Sequence, residues 1–438
     1  MKIAIIGAGW AGMAAAVEAT LAGHNAIVFE ASRAIGGRAR ALQGNLPDGT
    51  PVTLDNGQHI LIGAYTDTLR LMRRVGVAPE TALLTRPMTL LFPDGCGLRF
   101  PAWPTPLDAL AGIVSARGWT LADKGSLLRV ASGWQLRGFQ CDPALSVAQL
   151  CQRLRPRVMA ELIEPLCVSA LNTPAQRASA AVFLRVLKDA LFGVQGGSRL
   201  LLPRLDLAEL FPAAAARWLT QRGGHIRLGS RVESIVQQDA QWRVQGEGFD
   251  AVILATSASN AALALINHTL VATDLIANKL HTWCRITEAL QFEAIATVYA
   301  WGAGASLAHP MLTLRSNAAQ PAQFVFDRGQ LGGPSDLLAF VVSASNADRQ
   351  TIQAQVLAQA QAQLGLTLQA IQTVVEKRAT FACTPGLVRP GQCIAPGLIA
   401  CGDYVEGPYP ATLEGAVRSG IAAVTLAGVQ QSPLVEGT

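Results

Sequence analysis

The feature that most constrains this chain lies in its first forty residues. An apolar run, Lys2 to Ile6, passes directly into Gly7-Ala8-Gly9-Trp10-Ala11-Gly12, and a stretch rich in alanine, Trp10 to Leu21, follows before Gly23. The pattern predicts a strand, a tight turn and a helix. Each glycine answers a demand of a bound pyrophosphate: Gly7 permits the turn, Gly9 keeps side-chain atoms away from the phosphates, and Gly12 lets the helix pack against the strand. Trp10 and Ala11 open the helix, whose unpaired amides and positive dipole end face the anion. A second strand, His24 to Phe29, delivers Glu30 and then Ala31. A carboxylate there accepts hydrogen bonds from ribose hydroxyls and repels a ribose phosphate. The segment is therefore a socket for a dinucleotide, and the glycines alone leave NAD and FAD both open.

Gly36-Gly37-Arg38 narrows the choice, because two bare residues allow a second close approach to the pyrophosphate and Arg38 offers it charge-assisted hydrogen bonds. Near the other end, Gly397 to Cys401 reads as a strand and Gly402-Asp403 as a turn. The run Ala411-Thr412-Leu413-Glu414-Gly415-Ala416-Val417-Arg418-Ser419-Gly420 then opens a last helix.

Composition sets the outer bounds. The 438 residues are 50% hydrophobic and 15% charged, enough for two or three lobes around a large core. No apolar run reaches the roughly 18 residues needed to cross a bilayer. The first residues already belong to a core strand, so the expectation is a cytoplasmic protein without a signal peptide, with peripheral contact on the inner face of the membrane left open. A net charge of +5 without clustered Lys and Arg argues against a nucleic-acid platform and suits weak attraction to an anionic membrane. The eight cysteines form no Cys-x-x-Cys pair and the six histidines are scattered, so no metal site is expected, and the thiols read as reduced, buried apolar groups.

The order of elements predicts an α/β fold whose nucleotide domain is discontinuous. Residues 1–80, 203–260 and 391–438 are assigned to that domain, and 81–202 and 261–390 to a substrate lobe. Predicted helices are Thr66 to Val75, Pro156 to Val168, Ala175 to Leu191, Leu210 to Arg222 and Ala347 to Leu364, the last with an exposed Ala/Gln-rich face. Predicted strands include Ile226 to Leu228, Arg231 to Gln237, Gln241 to Gln245, Ala251 to Ala255, Ala294 to Ala300 and Leu337 to Ser343. Thr273 to Trp283 is left without assignment.

The glycine pair with Arg38 and the C-terminal run together resemble the FAD-dependent amine oxidase and phytoene desaturase superfamily. The resemblance implies a Rossmann-like FAD-binding domain of the GR2 type, discontinuous, with an inserted substrate domain of mixed sheet and helices. It places the adenine between Val232 and the strand end at Ala255. Asp403, after Gly402, is placed on the ribityl or pyrophosphate portion, and the helix start at Thr412, Leu413 and Ala416 against the flavin. Gly57 and Gln58, on a loop near the ring, complete the set.

Three segments narrow the resemblance further: Leu54-Asp55-Asn56-Gly57-Gln58-His59, Glu164-Pro165-Leu166 with Ala170-Leu171-Asn172-Thr173, and the run from Pro410 to Gly420. They are similar to hydroxysqualene dehydroxylases over nearly the whole chain. That family implies a long-chain isoprenoid alcohol, hydroxysqualene, reduced to squalene in hopanoid biosynthesis by hydride from reduced flavin, with an electron donor that is unidentified. His59 is the first candidate for the acid that assists the departing hydroxyl, followed by Tyr409 and Glu164. A polyene desaturase, an amine oxidase and a flavin-bearing partner subunit without turnover are the competing readings. Leu107 to Trp119 reads either as an amphipathic membrane-facing mouth near Trp103 or as an interior helix.

Overall fold

The computed structural model describes residues 1–429 apart from 105, 239–240 and 270–273, so Thr273 and 430–438 lie outside it, as do the side chains of 266–269 and 274–275. Its centre is a six-stranded sheet in the order His225–Leu228, Asn25–Glu30, Lys2–Ile6, Ala251–Leu254, Leu398–Ala400, Cys393–Ala395. Five strands run parallel and only the edge strand Cys393–Ala395 reverses. Lys2–Ile6 is almost wholly buried between two parallel neighbours, which is why it reads as a continuous apolar run. The sheet gathers strands from both ends and the middle of the chain, so the N-terminal and C-terminal signatures meet across it.

Helices Trp10–Leu21 and Leu413–Val429 pack on one face in close contact. A Cβ on Gly420 would fall 2.2 Å from the Ala11 carbonyl oxygen, so the contact tolerates only glycine there. The opposite face carries a three-stranded antiparallel meander, Ile235–Gln238, Gln241–Val244 and Glu247–Phe249. Phe249 meets Phe29 edge-on, with centroids 6.0 Å apart, and the Trp242 indole donates to the Pro396 carbonyl at 3.0 Å. The predicted strand over Arg231 to Gln237 forms only from Ile235 onward.

The second lobe is built on five strands in the order Met311–Thr313, Phe324–Asp327, Leu337–Ser343, Phe292–Trp301, Gln369–Phe381. Every pairing is antiparallel, so the mixed sheet expected in this lobe is corrected. Helix Arg349–Leu364 covers it with Ile352, Val356 and Ala360. Asp348 caps this helix through the amides of Gln350 and Thr351, and Gly365 ends it at φ +69. One of its glutamines is internal: Gln359 brackets both backbone groups of Ala322, at 2.8 and 2.9 Å. A polar residue in that helix therefore serves the core, where composition suggested only an exposed face.

Helices around 107–193 close the lobe. The predicted Pro156 to Val168 is one rod running Pro156–Val158, a π-helical turn Met159–Ile163, then Glu164–Leu171, ended by Asn172 in the left-handed region. Ala175 to Leu191 starts later, at Ala180, because the Ser179 hydroxyl caps it, and it continues into a second π turn, Asp189–Gly193. Leu210 to Arg222 is in fact two helices, Leu207–Leu210 and Pro212–Thr220, broken at Phe211 because the residue before a proline is pushed out of helical geometry. Among the described residues no helix is long and apolar enough to cross a membrane. No disulfide joins the eight cysteines, but Cys393 is exposed and Cys96 and Cys141 are only half-buried, which corrects their expected burial.

Candidate functional site

A single cavity of about 1280 Å³ runs from the glycine loop to the interior of the second lobe. It exceeds the roughly 300–1,000 Å³ of an ordinary small-molecule site and suits a cofactor and a substrate end to end.

At the nucleotide end, two glycine loops are laced together. The Gly7 amide donates to Phe29 O at 2.7 Å and the Gly36 amide to Ala8 O at 2.9 Å, and Gly9 and Gly36 form a parallel bridge. A Cβ built on Gly9 would meet nothing closer than 3.8 Å, so the missing side chain leaves open space on the cavity wall. Gly12 serves packing instead, since a Cβ there would sit 1.9 Å from the Gly7 carbonyl oxygen. Helix Trp10–Leu21 begins at Gly9 with no side-chain cap, so its first amides are free for an anion. Glu30 accepts from the amides of Ala8 at 2.7 Å and Ser32 at 2.8 Å, which fixes its carboxylate on the cavity wall beside Ala31. Val232, Ala255 and Thr256 line the same end. This cradle of bare glycines, uncapped helix and placed carboxylate fits a dinucleotide.

Arg38 lines the cavity and also staples three segments of the protein together. Its guanidinium donates to Asp403 Oδ1 and to the Ala379 carbonyl, each at 2.5 Å, and to the Arg378 carbonyl at 3.1 Å. The staple joins the N-terminal loop, the long strand Gln369–Phe381 and the C-terminal turn. Gly402, before Asp403, donates its amide to Ser419 Oγ at 2.8 Å. Thr412 Oγ1 accepts from the Gly415 amide at 3.0 Å, and Thr412, Leu413 and Ala416 all border the cavity.

The loop after the strand Pro51–Asp55 carries Gly57, in the left-handed region at φ +134, then Gln58 and His59, all on the cavity wall. Its support is a buried polar network that the sequence did not reveal. Arg328 donates to Gln58 Oε1 at 2.9 Å, and its guanidinium lies 4.0 Å from Asp55. Asp55 accepts from the Leu207 amide at 2.8 Å, and the Tyr299 hydroxyl donates to the Asp55 carbonyl at 2.9 Å. Arg328 is 270 positions from Gln58, a separation at which no local pattern links them.

Burial pushes the Asp55 carboxyl up from 3.8 to about 6, outweighing the Leu207 amide and Arg328, which pull it down. Its folded value thus lies above its unfolded one, so the protonated form favours folding. Stability from this group is complete below about pH 4 and is lost as pH rises through 6, by about 3 kcal/mol in all. Urea unfolding measured from pH 4 to 7 should show a smaller loss of stability for Asp55→Asn than for the parent across that window; equal slopes would remove Asp55 as the source.

The three candidate acids part company here. His59 Nδ1 lies 2.9 Å from the Gly57 carbonyl, which only accepts, so this nitrogen carries the proton and donates it inward. Burial first, and then the Arg38 charge, hold the imidazole below its ordinary value. The Nδ1 proton is committed to the Gly57 carbonyl, and burial works against the charged ring that the expected imidazolium donor requires. Glu164 is corrected too, being exposed and off the cavity wall, because the π turn ahead of it rotates the rod so that Ile163 and Leu166 face inward. Tyr409 lines the cavity, half-buried.

Beyond the loop the cavity becomes an apolar chamber, walled by residues such as Leu98, Phe100, Trp134, Leu162, Phe183 and Phe326. At one side stands helix Leu107–Ser115, on which Leu107, Leu110 and Val114 are about half exposed, near the exposed Trp103. Leu107 and Leu110 also border the cavity. Trp119, by contrast, is buried and donates to Glu161 at 2.9 Å, so the mouth-like stretch ends with the helix. Among the described residues no group of His, Cys, Asp or Glu is arranged to hold a metal.

Comparison with known proteins agrees with this geometry. The chain is 25% identical to a hydroxysqualene dehydroxylase of Sinorhizobium fredii over 97% of its own length and 98% of that protein's. It is 26% identical to one of Rhodopseudomonas palustris over 96% and 97%. A solved oxidoreductase of Methanosarcina mazei superposes with a TM-score of 0.72 at 15% identity, covering 97% of this chain and all of that one, a likeness of fold. The model of the family described as flavin containing amine oxidoreductase matches residues 10–427. With both signatures brought to one dinucleotide cradle, this chain belongs to the flavin containing amine oxidoreductase family.

Proposed function

We propose that this chain is an FAD-dependent reductase of a long isoprenoid allylic alcohol, converting hydroxysqualene to squalene. The observation that carries the reading is the continuity of the dinucleotide cradle with a deep apolar chamber, in a chain matched end to end by hydroxysqualene dehydroxylases. FAD fits the cradle through Gly9, Glu30, the amides at Trp10 and Ala11, and the turn at Asp403; when bound and reduced it supplies hydride. The chain's own residues do the rest. The apolar walls slow capture by water of the cation that forms when the allylic hydroxyl leaves, so that hydride wins when it is available, and the Gln58–His59 loop, held by Arg328, shapes the junction between cradle and chamber.

The apolar mouth at Trp103, Leu107, Leu110 and Val114 supports loading of a water-insoluble chain from a membrane surface, on which the protein sits peripherally. The decisive test is anaerobic. Dithionite-reduced holoenzyme should convert hydroxysqualene to squalene, with flavin reoxidation seen at its visible band. Oxidised holoenzyme given squalene or phytoene should show no bleaching. Bleaching with phytoene and no reduction of the alcohol would make the chain a desaturase and overturn the reading.

A further inference from the structure

A hydroxyl leaves an allylic carbon readily only if its oxygen is protonated as the bond breaks. If the chain reduces such an alcohol, on which this inference rests, a residue of the wall gives that proton. Two phenols border the cavity, Tyr65 and Tyr409. Burial first, and then the charge of Glu414, work against loss of the Tyr65 proton. Glu414 itself is committed, accepting from the Thr68 amide at 2.9 Å, the Asp67 amide at 3.1 Å and Arg418 at 2.7 Å.

Tyr409 sits among charges of both signs. Arg418 Nη1 donates to its hydroxyl at 3.2 Å and lies over its ring, the guanidinium carbon 5.1 Å from the centroid. Arg185 approaches the same ring at 5.8 Å. Arg185 is oriented in turn by Asp189, whose Oδ2 accepts from Nε at 2.9 Å and which borders the cavity on the π turn Asp189–Gly193. Arg389 fixes the backbone, donating to the Tyr409 carbonyl at 3.0 Å. Burial raises the phenol above its ordinary value and Asp189 adds to this, while Arg418 and Arg185 pull it down, so it stays protonated until a reaction calls on it. Arg185 and Arg418 reach this phenol while ion-paired to Asp189 and to Glu414 and Asp67, and both stabilise a phenolate once it forms.

We propose that Tyr409 is the proton donor to the departing oxygen, that Arg185 and Arg418 hold the resulting phenolate, and that Asp189 is the positioning residue for Arg185. The phenol O–H bond breaks and its proton joins the substrate hydroxyl. The C–O bond then breaks with its electron pair going to oxygen, releasing water and an allylic cation. The carbon is reduced by taking up hydride from the reductant, a reduced flavin, and the phenolate regains a proton from solvent at the half-exposed Arg185 side.

The protonation can be read without reduction, because an allylic cation formed with no hydride available is recaptured by water. Oxidised holoenzyme is incubated with hydroxysqualene in water labelled with heavy oxygen, and the recovered alcohol is analysed by mass spectrometry. The parent should incorporate label, and Tyr409→Phe should do so about a hundredfold more slowly while keeping its flavin absorbance. A spectrophotometric phenol titration, taken as the difference from Tyr409→Phe, should place Tyr409 higher in Arg185→Gln than in the parent; an unmoved value would remove Arg185 from the device. Exchange by Tyr409→Phe at the parent's rate overturns the proposal, as does a parent that reduces the alcohol yet never exchanges it. A parent that neither exchanges nor reduces overturns the substrate reading, and this inference with it.

Discussion

Gly12→Val should give a chain that is recovered without flavin, and largely unfolded. Any β-carbon at this position falls 1.9 Å from the Gly7 carbonyl oxygen and 3.0 Å from Ala255 Cβ. Both are fixed, the first in the turn and the second after a central strand, so the helix would have to lift off the sheet. That separation breaks the burial of Met13, Ala15 and Ala16, which are fully enclosed. Overpacking of a core costs about 1–3 kcal/mol when side chains can adjust, and backbone that cannot adjust costs more, against a total stability of about 5–15 kcal/mol. Gly23→Ala is the matched control: its φ is +76 but nothing lies within 4 Å, so only local strain of about 1 kcal/mol is expected. Soluble yield, thermal unfolding and the ratio of flavin to protein absorbance report the outcome. Stoichiometric flavin and an unchanged melting temperature in Gly12→Val would refute the close strand–helix contact.

Arg38→Ala should leave the fold in place and lose the cofactor. The substitution removes charge-assisted hydrogen bonds to Asp403 and to the Ala379 carbonyl, so the glycine pair at 36–37, the end of strand Gln369–Phe381 and the turn at 402–403 lose their common anchor. Bonds to charged groups contribute about 1.5–3 kcal/mol each. With 38% of the Arg38 side chain accessible, screening reduces this to about 2–4 kcal/mol together, and to the extent that it orders the cradle it costs FAD binding up to a factor of roughly 30 to 1,000 in dissociation constant. Titration of FAD into apoprotein by fluorescence quenching measures it, and Arg38→Lys, which serves one partner at a time, should fall between. Equal affinity for parent and Arg38→Ala would show that the staple does not organise the cradle.

The cradle was legible from sequence because its rules are local. A pyrophosphate needs backbone within reach, only glycine provides it, and the strand, helix and acid around Gly7 to Glu30 fall within one continuous segment. The helix Trp10–Leu21 and the strand Leu337–Ser343 matched their predicted limits for the same reason. Proline marks were less well used: Pro212 breaks a helix read as one, and the π turns at Met159–Ile163 and Asp189–Gly193 leave no periodic signature at all.

Glycine spacing and helix starts state directly that this chain is built for a dinucleotide and joins its two ends to hold it. What surrounds the reacting end is set by the fold. Whether a side chain can act as an acid depends on where the fold puts it: burial and the Arg38 charge disfavour the charged form of His59, a π turn leaves Glu164 exposed, and Arg185, Asp189 and Arg418 converge on Tyr409. Charge and burial act through space over a few ångströms, and only the fold brings those residues that close.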